Sequence, residues 1–211
     1  MTEITRPVTI SFIRHGHVHN PQRLLYGRLP GFALSERGRA EAQIMAAAVC
    51  ELSPSALYSS PLLRARQTAA AIIAQNSHLE LRISSLINEV HTAFQGRPLA
   101  ELAAFGFDLY VGNPPGYEQP EDVLARMRRF IARVRRRHPG EHVLAVTHGD
   151  PITFVIQWAS GLPIGPRERE ALVELGLSGG YPAPASITTL TFATAGPDER
   201  PTVRYVEPGR Q

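Results

Sequence analysis

Short apolar runs alternate with longer amphipathic stretches along this chain, and the two periods predict different elements. "VTISFI" (Val8–Ile13) is a β-branched run that reads as a buried strand. After a polar loop, Ser35 stands as a helix N-cap before the alanine-rich stretch Glu36–Leu52. "SALYS" (Ser55–Ser59) reads as a second strand, with Ser60 as cap and Pro61 as first residue of a helix reaching about Gln75. A third strand is expected over Leu79–Leu86, then a loop-rich stretch from Asn88 to Gln119 with a short helix near Pro98–Phe105. Val123, Leu124, Met127, Phe130, Ile131 and Val134 share one stripe of a long helix. "HVLAVT" (His142–Thr147) is another strand, followed by a helix from about Pro151 to Ser160. "ASITTLTFA" and "TVRYVEP" supply two more strand candidates. Strands alternating with helices imply an α/β protein with a mostly parallel sheet.

The 211 residues suit one domain, 1–211, carrying a short lid-like insertion at about 88–119. A hydrophobic fraction of 43% and a charged fraction of 19% are those of an ordinary globular protein. No apolar run approaches the roughly 18 residues of a membrane span. "MTEITRPVTISFIRHG" holds too short an apolar run for a signal peptide, so a cytoplasmic location is expected. The single cysteine, Cys50, reads as a small buried hydrophobe of its helix. All 22 basic residues are arginine, which removes Schiff-base lysines and the P-loop lysine from the possible chemistries. Any phosphate here is held by planar guanidinium forks. The net charge of +3 does not by itself imply nucleic acid.

In open α/β sheets, ligands sit beyond the carboxyl ends of the strands. Three such handovers carry unusual residues: Arg14-His15-Gly16, then "SSPLLRAR" with Arg64 in the first turn of its helix, then Thr147-His148-Gly149-Asp150. If their strands are neighbours, two histidines and two arginines converge where helix N-termini also point. Such a place suits a dianion, with Gly16 and Gly149 allowing close approach to backbone N–H groups. A histidine touching phosphorus can serve as a covalent nucleophile. "HGHVH" could alternatively supply a His-x-His metal pair, but the barrel that uses it needs about 250 residues and eight βα units.

Arg14-His15-Gly16, "LSERGRAEA", "SSPLLRARQTA" and "VTHGD", in that order, resemble the histidine phosphatase superfamily, the phosphoglycerate mutase-like proteins. The resemblance implies a three-layer α/β/α sandwich and a phosphohistidine formed without metal or other cofactor. It implies His15 as nucleophile, with Arg14, Arg64 and His148 holding the phosphoryl oxygens. "LINEVHTAFQGRP" resembles the acid loop and supplies Glu89 as general acid, with Phe94, Gln95 and Gly96 in the aromatic-glycine part. The chain departs from the family after RHG. His17 and Val18 stand where relatives carry a carboxylate or amide and then a hydroxyl, and Asn20 offers an amide to phosphate.

The compact "GFDLYVGNPPGYEQPED", with Glu118 after a Pro-Gly turn, resembles the phosphatase branch rather than the longer mutase insertion. A small phosphorylated metabolite is the expected partner, and Tyr26, Arg28, Phe94 and Arg97 are candidates to contact it. Phosphoglycerate mutase-type phosphotransfer is the alternative, and a phosphate-binding module without turnover a further one. His17 and His19 read as rim groups. His78, His138 and His142 read as solvated, as do Arg126, Arg128, Arg129, Arg133, Arg135, Arg136 and Arg137 on the polar face of the long helix. No nucleic acid and no membrane are expected as partners, and the oligomeric state is left open.

Overall fold

The computed structural model describes residues 7–104, 106–194, 196 and 198–209. Six strands form one sheet: β1 (Val8–Arg14), β2 (Ala56–Ser59), β3 (Leu81–Ile83), β4 (His142–Thr147), β5 (Ile187–Phe192) and β6 (Thr202–Val206). They lie in the order β3-β2-β4-β1-β5-β6. The first four strands are parallel to one another, while at one edge β5 runs antiparallel to β1 and β6 antiparallel to β5. The strands that carry the three motifs are therefore adjacent.

Helices cover both faces. α1 (Glu36–Cys50) and α2 (Leu63–Gln75) pack on one side, where Ile13, Leu57, Leu144 and Val146 meet Met45, Val49 and Ile72. α4 (Pro120–Arg137) and α5 (Gly149–Ala159) pack on the other, where Ile10, Phe12, Val143 and Ala145 meet Met127, Phe130 and Ile152. Successive residues of β4 thus feed opposite layers, so a strand buried on both faces reads as a continuous apolar run. The expected three-layer α/β/α sandwich is the observed one. A short helix, α3 (Leu99–Ala103), interrupts the 88–119 segment; Phe105, its expected end, lies outside the described residues.

Ser35 caps α1 as expected, its Oγ accepting from the Gly38 N–H at 3.0 Å. Ser60 does not cap α2. The helix begins at Leu63, and the Ser60 hydroxyl is committed elsewhere. The strand expected over Leu79–Leu86 is shortened to three residues, because Ser85–Ile87 turns as a 3₁₀ helix toward the site. Pro166–Leu175 forms another 3₁₀ segment.

Several surface readings are corrected. Cys50 is exposed, since the buried stripe of α1 ends at Val49 and the next residue points about 100° away. His138 is 7% exposed and donates through Nδ1 to Glu141 while its Nε2 faces the Tyr58 hydroxyl at 3.1 Å. His142 bonds Ser11, and His78 donates to the Pro54 carbonyl, so all three histidines are tied into the fold. Arg126 is buried and Arg135 pairs with Glu199, whereas Arg128, Arg129, Arg133, Arg136 and Arg137 are exposed.

Candidate active site

Strand register brings the two histidines together. Arg14 lies opposite Thr147, and the His15 N–H donates to the Thr147 carbonyl, so His15 and His148 leave adjacent strands side by side. Their ring centroids are 5.1 Å apart. β2 on the far side of β4 delivers Ser60, then Arg64 from the first turn of α2. All four side chains of the core cluster sit on the carboxyl end of the sheet.

The two hydrogen bonds of His15 fix its tautomer. Nδ1 donates to the Gly16 carbonyl at 2.8 Å, leaving Nε2 as the bare nitrogen, which accepts from Arg64 Nε at 3.1 Å. His15 is 2% exposed. Burial, then the Arg64 and Arg14 charges, hold its pKa well below the ordinary imidazole value. It is a neutral imidazole with an available lone pair.

Arg64 is fully buried and forks between the rings. Its Nη2 donates to the Gly27 carbonyl at 2.7 Å and faces His148 Nδ1 at 3.3 Å, while its guanidinium lies 4.6 Å from the Tyr26 ring centre. With Nδ1 accepting, His148 donates through Nε2 to Ser60 Oγ at 2.8 Å, and the Ser60 hydroxyl continues to Asn88 Oδ1. Burial, then Arg64 and His15, keep His148 neutral as well. A bound dianion would reverse that balance by drawing a proton onto Nδ1.

Glu89 completes the cluster. Its Oε2 lies 3.7 Å from His148 Nδ1, and Oε1 accepts from the Val90 N–H. Burial first, then the nearby Asp150 charge, raise its pKa, against the opposing pull of Arg64. This is the environment a proton donor needs near neutral pH.

Arg14 approaches from β1. Its Nη1 donates to the Pro182 carbonyl, its guanidinium lies 5.0 Å from the Tyr181 ring centre, and its Nε has no partner among the described residues. A cavity of about 480 Å³ opens over Arg14 and His15, with Tyr26, Asn20, Arg23 and His17 on its wall.

Six expected contributors behave differently. The Asn20 side chain both donates to the Leu24 carbonyl and accepts the Leu24 N–H, so its amide folds the loop it was expected to leave for phosphate. Arg28 donates to the Glu89 carbonyl at 2.6 Å and to Glu118 at 2.9 Å, which makes it a brace for the loop that carries Glu89. Gly149 makes room for protein rather than ligand, because a Cβ there would lie 2.2 Å from the Tyr181 hydroxyl. Gly16 likewise lets the strand end touch α1, where a Cβ would meet the Gly38 carbonyl oxygen at 2.4 Å. Phe94 and Arg97 pack on each other, with Arg97 also bridging to Glu101. His17 joins the α1 cap through a hydrogen bond between its Nδ1 and Ser35 Oγ at 2.8 Å, and both His17 and His19 are exposed.

Sequence reasoning missed Ser60, Arg126, Tyr110, Asp150, Arg169 and Tyr181. Asp150 sat in plain view after His148-Gly149, but its partners arrive from segments without helical or strand period.

The donor atoms of His15, Glu89 and His148 lie within 4.8 Å of one another, so they form a possible metal triad. Arg64 competes with an ion for it. Its cationic fork bonds His15 Nε2 and faces His148 Nδ1, the two atoms that would have to bind the ion. The arrangement instead presents one bare imidazole nitrogen, two guanidinium groups and a raised carboxyl group to a common point.

The histidine phosphatase superfamily (branch 1) model matches residues 10–197. An uncharacterised protein of Mycobacterium tuberculosis is 33% identical over 192 residues, covering 87% of this chain and 89% of its own. Phosphoserine phosphatase 1 of Hydrogenobacter thermophilus is 30% identical, with 69% of this chain and 72% of its own length covered. Among solved structures, mycobacterial glucosyl-3-phosphoglycerate phosphatase superposes with a TM-score of 0.75 at 25% identity, over 95% of this chain and 97% of its own.

Proposed function

The chain belongs to the histidine phosphatase superfamily, and from that membership and its site we propose that it hydrolyses small phosphorylated metabolites through a phosphohistidine, without a metal. The observation that carries the reading is the His15 tautomer: Nδ1 is spent on its own turn, and Nε2 faces Arg64. No helix of the described residues is long and apolar enough to cross a membrane.

In this mechanism the substrate phosphoryl group comes between His15 and Arg64, and the Arg64 hydrogen bond passes from Nε2 to a phosphoryl oxygen. The Nε2 lone pair attacks phosphorus, the bond to the leaving oxygen breaks, and Glu89 gives that oxygen its proton. Arg14, Arg64 and His148, protonated once the dianion is bound, stabilise the charge on the equatorial oxygens. Water then attacks phosphorus, Glu89 takes its proton, and the P–N bond electrons return to Nε2. Inorganic phosphate leaves, and the enzyme regains its starting proton inventory.

Turnover of p-nitrophenyl phosphate with and without EDTA tests the reading. Hydrolysis that EDTA leaves unchanged is expected. EDTA-sensitive hydrolysis would return the metal triad, and phosphate binding without turnover a binding module. With a phosphorylated hydroxy acid as substrate, label moving to the second hydroxyl rather than to water would return the mutase.

A further inference from the structure

We propose that Asp150 is a positioning residue of this site: it anchors Tyr181, and through the Tyr181 ring it holds the Arg14 guanidinium where a phosphoryl group binds. Asp150 is 3% exposed in the first turn of α5. A carboxylate there would ordinarily serve its own helix N-terminus. This one instead collects three donors from elsewhere in the chain. The Tyr110 hydroxyl reaches Oδ2 at 2.7 Å, while the Tyr181 hydroxyl at 2.8 Å and Arg169 Nη2 at 2.7 Å share Oδ1.

Those partners bind the 88–119 segment and the stretch after α5 to a single buried carboxylate. The Tyr181 ring is flanked by two guanidinium groups, Arg14 at 5.0 Å and Arg169 at 4.7 Å. Gly149 leaves space for the Tyr181 hydroxyl to reach its acceptor, and the next residue after Tyr181, Pro182, receives Arg14 Nη1. One side of the Arg14 fork is thereby fixed by residues 181 and 182. The Nε edge is left without a protein acceptor among the described residues. An arginine held this way loses little side-chain freedom when an oxyanion arrives.

Asp150 also faces Glu89 electrostatically. The groups around the Glu89 carboxyl are Asp150, which raises its pKa, the Arg64 and Arg14 charges and the Val90 N–H, which lower it, and neutral His148. Removing the Asp150 charge therefore lowers the pKa of the acid, a readout that loosened packing alone would not produce.

The inference rests on the phosphatase reading only for turnover; phosphate binding reads the position of Arg14 independently. Inorganic phosphate is titrated calorimetrically into the wild type, Asp150→Asn and Tyr181→Phe, and turnover of an alkyl phosphate, whose leaving group needs the Glu89 proton, is followed against pH. Asp150→Asn should weaken phosphate binding about tenfold, the scale of one desolvated cation–π hold. Its KM should rise in step, and the alkaline limb of kcat should move to lower pH. Tyr181→Phe keeps the ring and loses only the hydroxyl, so about a threefold loss of phosphate affinity is expected with the pH limb unmoved. If Asp150→Asn does not fold, Tyr181→Phe decides. Wild-type phosphate affinity in either folded variant overturns the proposal. The expected binding pattern in a protein without turnover would sink the phosphatase reading and leave the placement of Arg14 standing.

Discussion

The guanidinium of Arg28 donates through Nε to the backbone carbonyl of Glu89 at 2.6 Å, and the same fork grips Glu118 at 2.9 Å. A residue expected to meet substrate is thus part of the frame around Glu89. Arg126 closes that frame from α4, bonding Glu118 Oε1 at 2.8 Å and reaching the Glu89 carbonyl at 3.3 Å. Burial alone would raise the pKa of Glu118, but Arg126, the His91 N–H and Arg28 bring it below the ordinary carboxylate value.

Cutting the frame at Arg28 should therefore mimic a fault in acid catalysis. In Arg28→Ala, alkyl phosphates should lose about tenfold in kcat, while p-nitrophenyl phosphate, whose leaving group needs no proton, stays within about twofold. A change confined to KM would restore Arg28 to the substrate rim. Glu118→Ala is a harsher cut, since it strands the buried Arg126 charge. A stability loss of about 3–5 kcal/mol is expected by urea denaturation.

Glu89→Gln keeps the shape of the acid and removes the proton. Poor leaving groups should slow by about 10²–10⁴-fold and p-nitrophenyl phosphate far less. Equal losses across leaving groups would take the acid role from Glu89. The alkaline limb of wild-type kcat should also lie above the ordinary carboxylate range, because burial and Asp150 raise Glu89. The acid limb should lie below the ordinary histidine value, because His15 must bind a proton against burial and two arginines.

The same histidines make stability depend on pH. In the folded state His15 and His148 are held well below 6.5, so below that pH the unfolded chain binds protons that the native site refuses. Their stabilising contribution is complete above 6.5 and is lost as pH falls toward the folded-state values. Thermal melting followed downward from neutral pH should show this slope, and His15→Ala should flatten it. A slope unchanged in the variant would assign the effect to other groups.

Much of this was legible in sequence for a definite physical reason. β1 and β4 are buried on both faces, so their apolar runs announced themselves, and register then placed His15 beside His148. Arg64 could be read because the turn into α2 has a short, characteristic sequence. Function-bearing loops gave less. Asn20 and Arg28 carry side chains suited to phosphate, and no one-dimensional pattern reveals that nearby backbone carbonyls have claimed them. Tyr181 and Arg169 were invisible because they follow α5 in 3₁₀ and turn structure without a period, and they meet Asp150 only in three dimensions.

The glycines make a structural prediction separable from chemistry. Gly16→Ala would put a methyl group 2.4 Å from the Gly38 carbonyl oxygen, and backbone cannot yield as a flexible side chain would. Overpacking of this kind costs about 1–3 kcal/mol, and the displaced His15 turn should lower turnover with it. Normal stability and activity in Gly16→Ala would mean that β1 and α1 separate more easily than their contact implies.

The nucleophile is the claim on which the others depend, and its tautomer makes the test specific. Nδ1 is committed to the Gly16 carbonyl, so phosphorus can be taken only by Nε2. His15→Ala should abolish turnover yet still fold, because the Gly16 carbonyl and the Arg64 fork lose a partner at a cavity wall rather than in the apolar core. Quenching the wild type during turnover of labelled substrate in alkali should trap label on the protein, whereas acid should release it, since the P–N bond is acid-labile. Label that survives acid and leaves in base would mark an acyl phosphate. The only carboxyl group within reach of that cluster is Glu89 among the described residues, 3.7 Å from His148, so that outcome would exchange the roles of acid and nucleophile. The raised pKa of Glu89 opposes the exchange: the more a carboxyl group favours its protonated form, the less it competes as a nucleophile with a bare imidazole nitrogen.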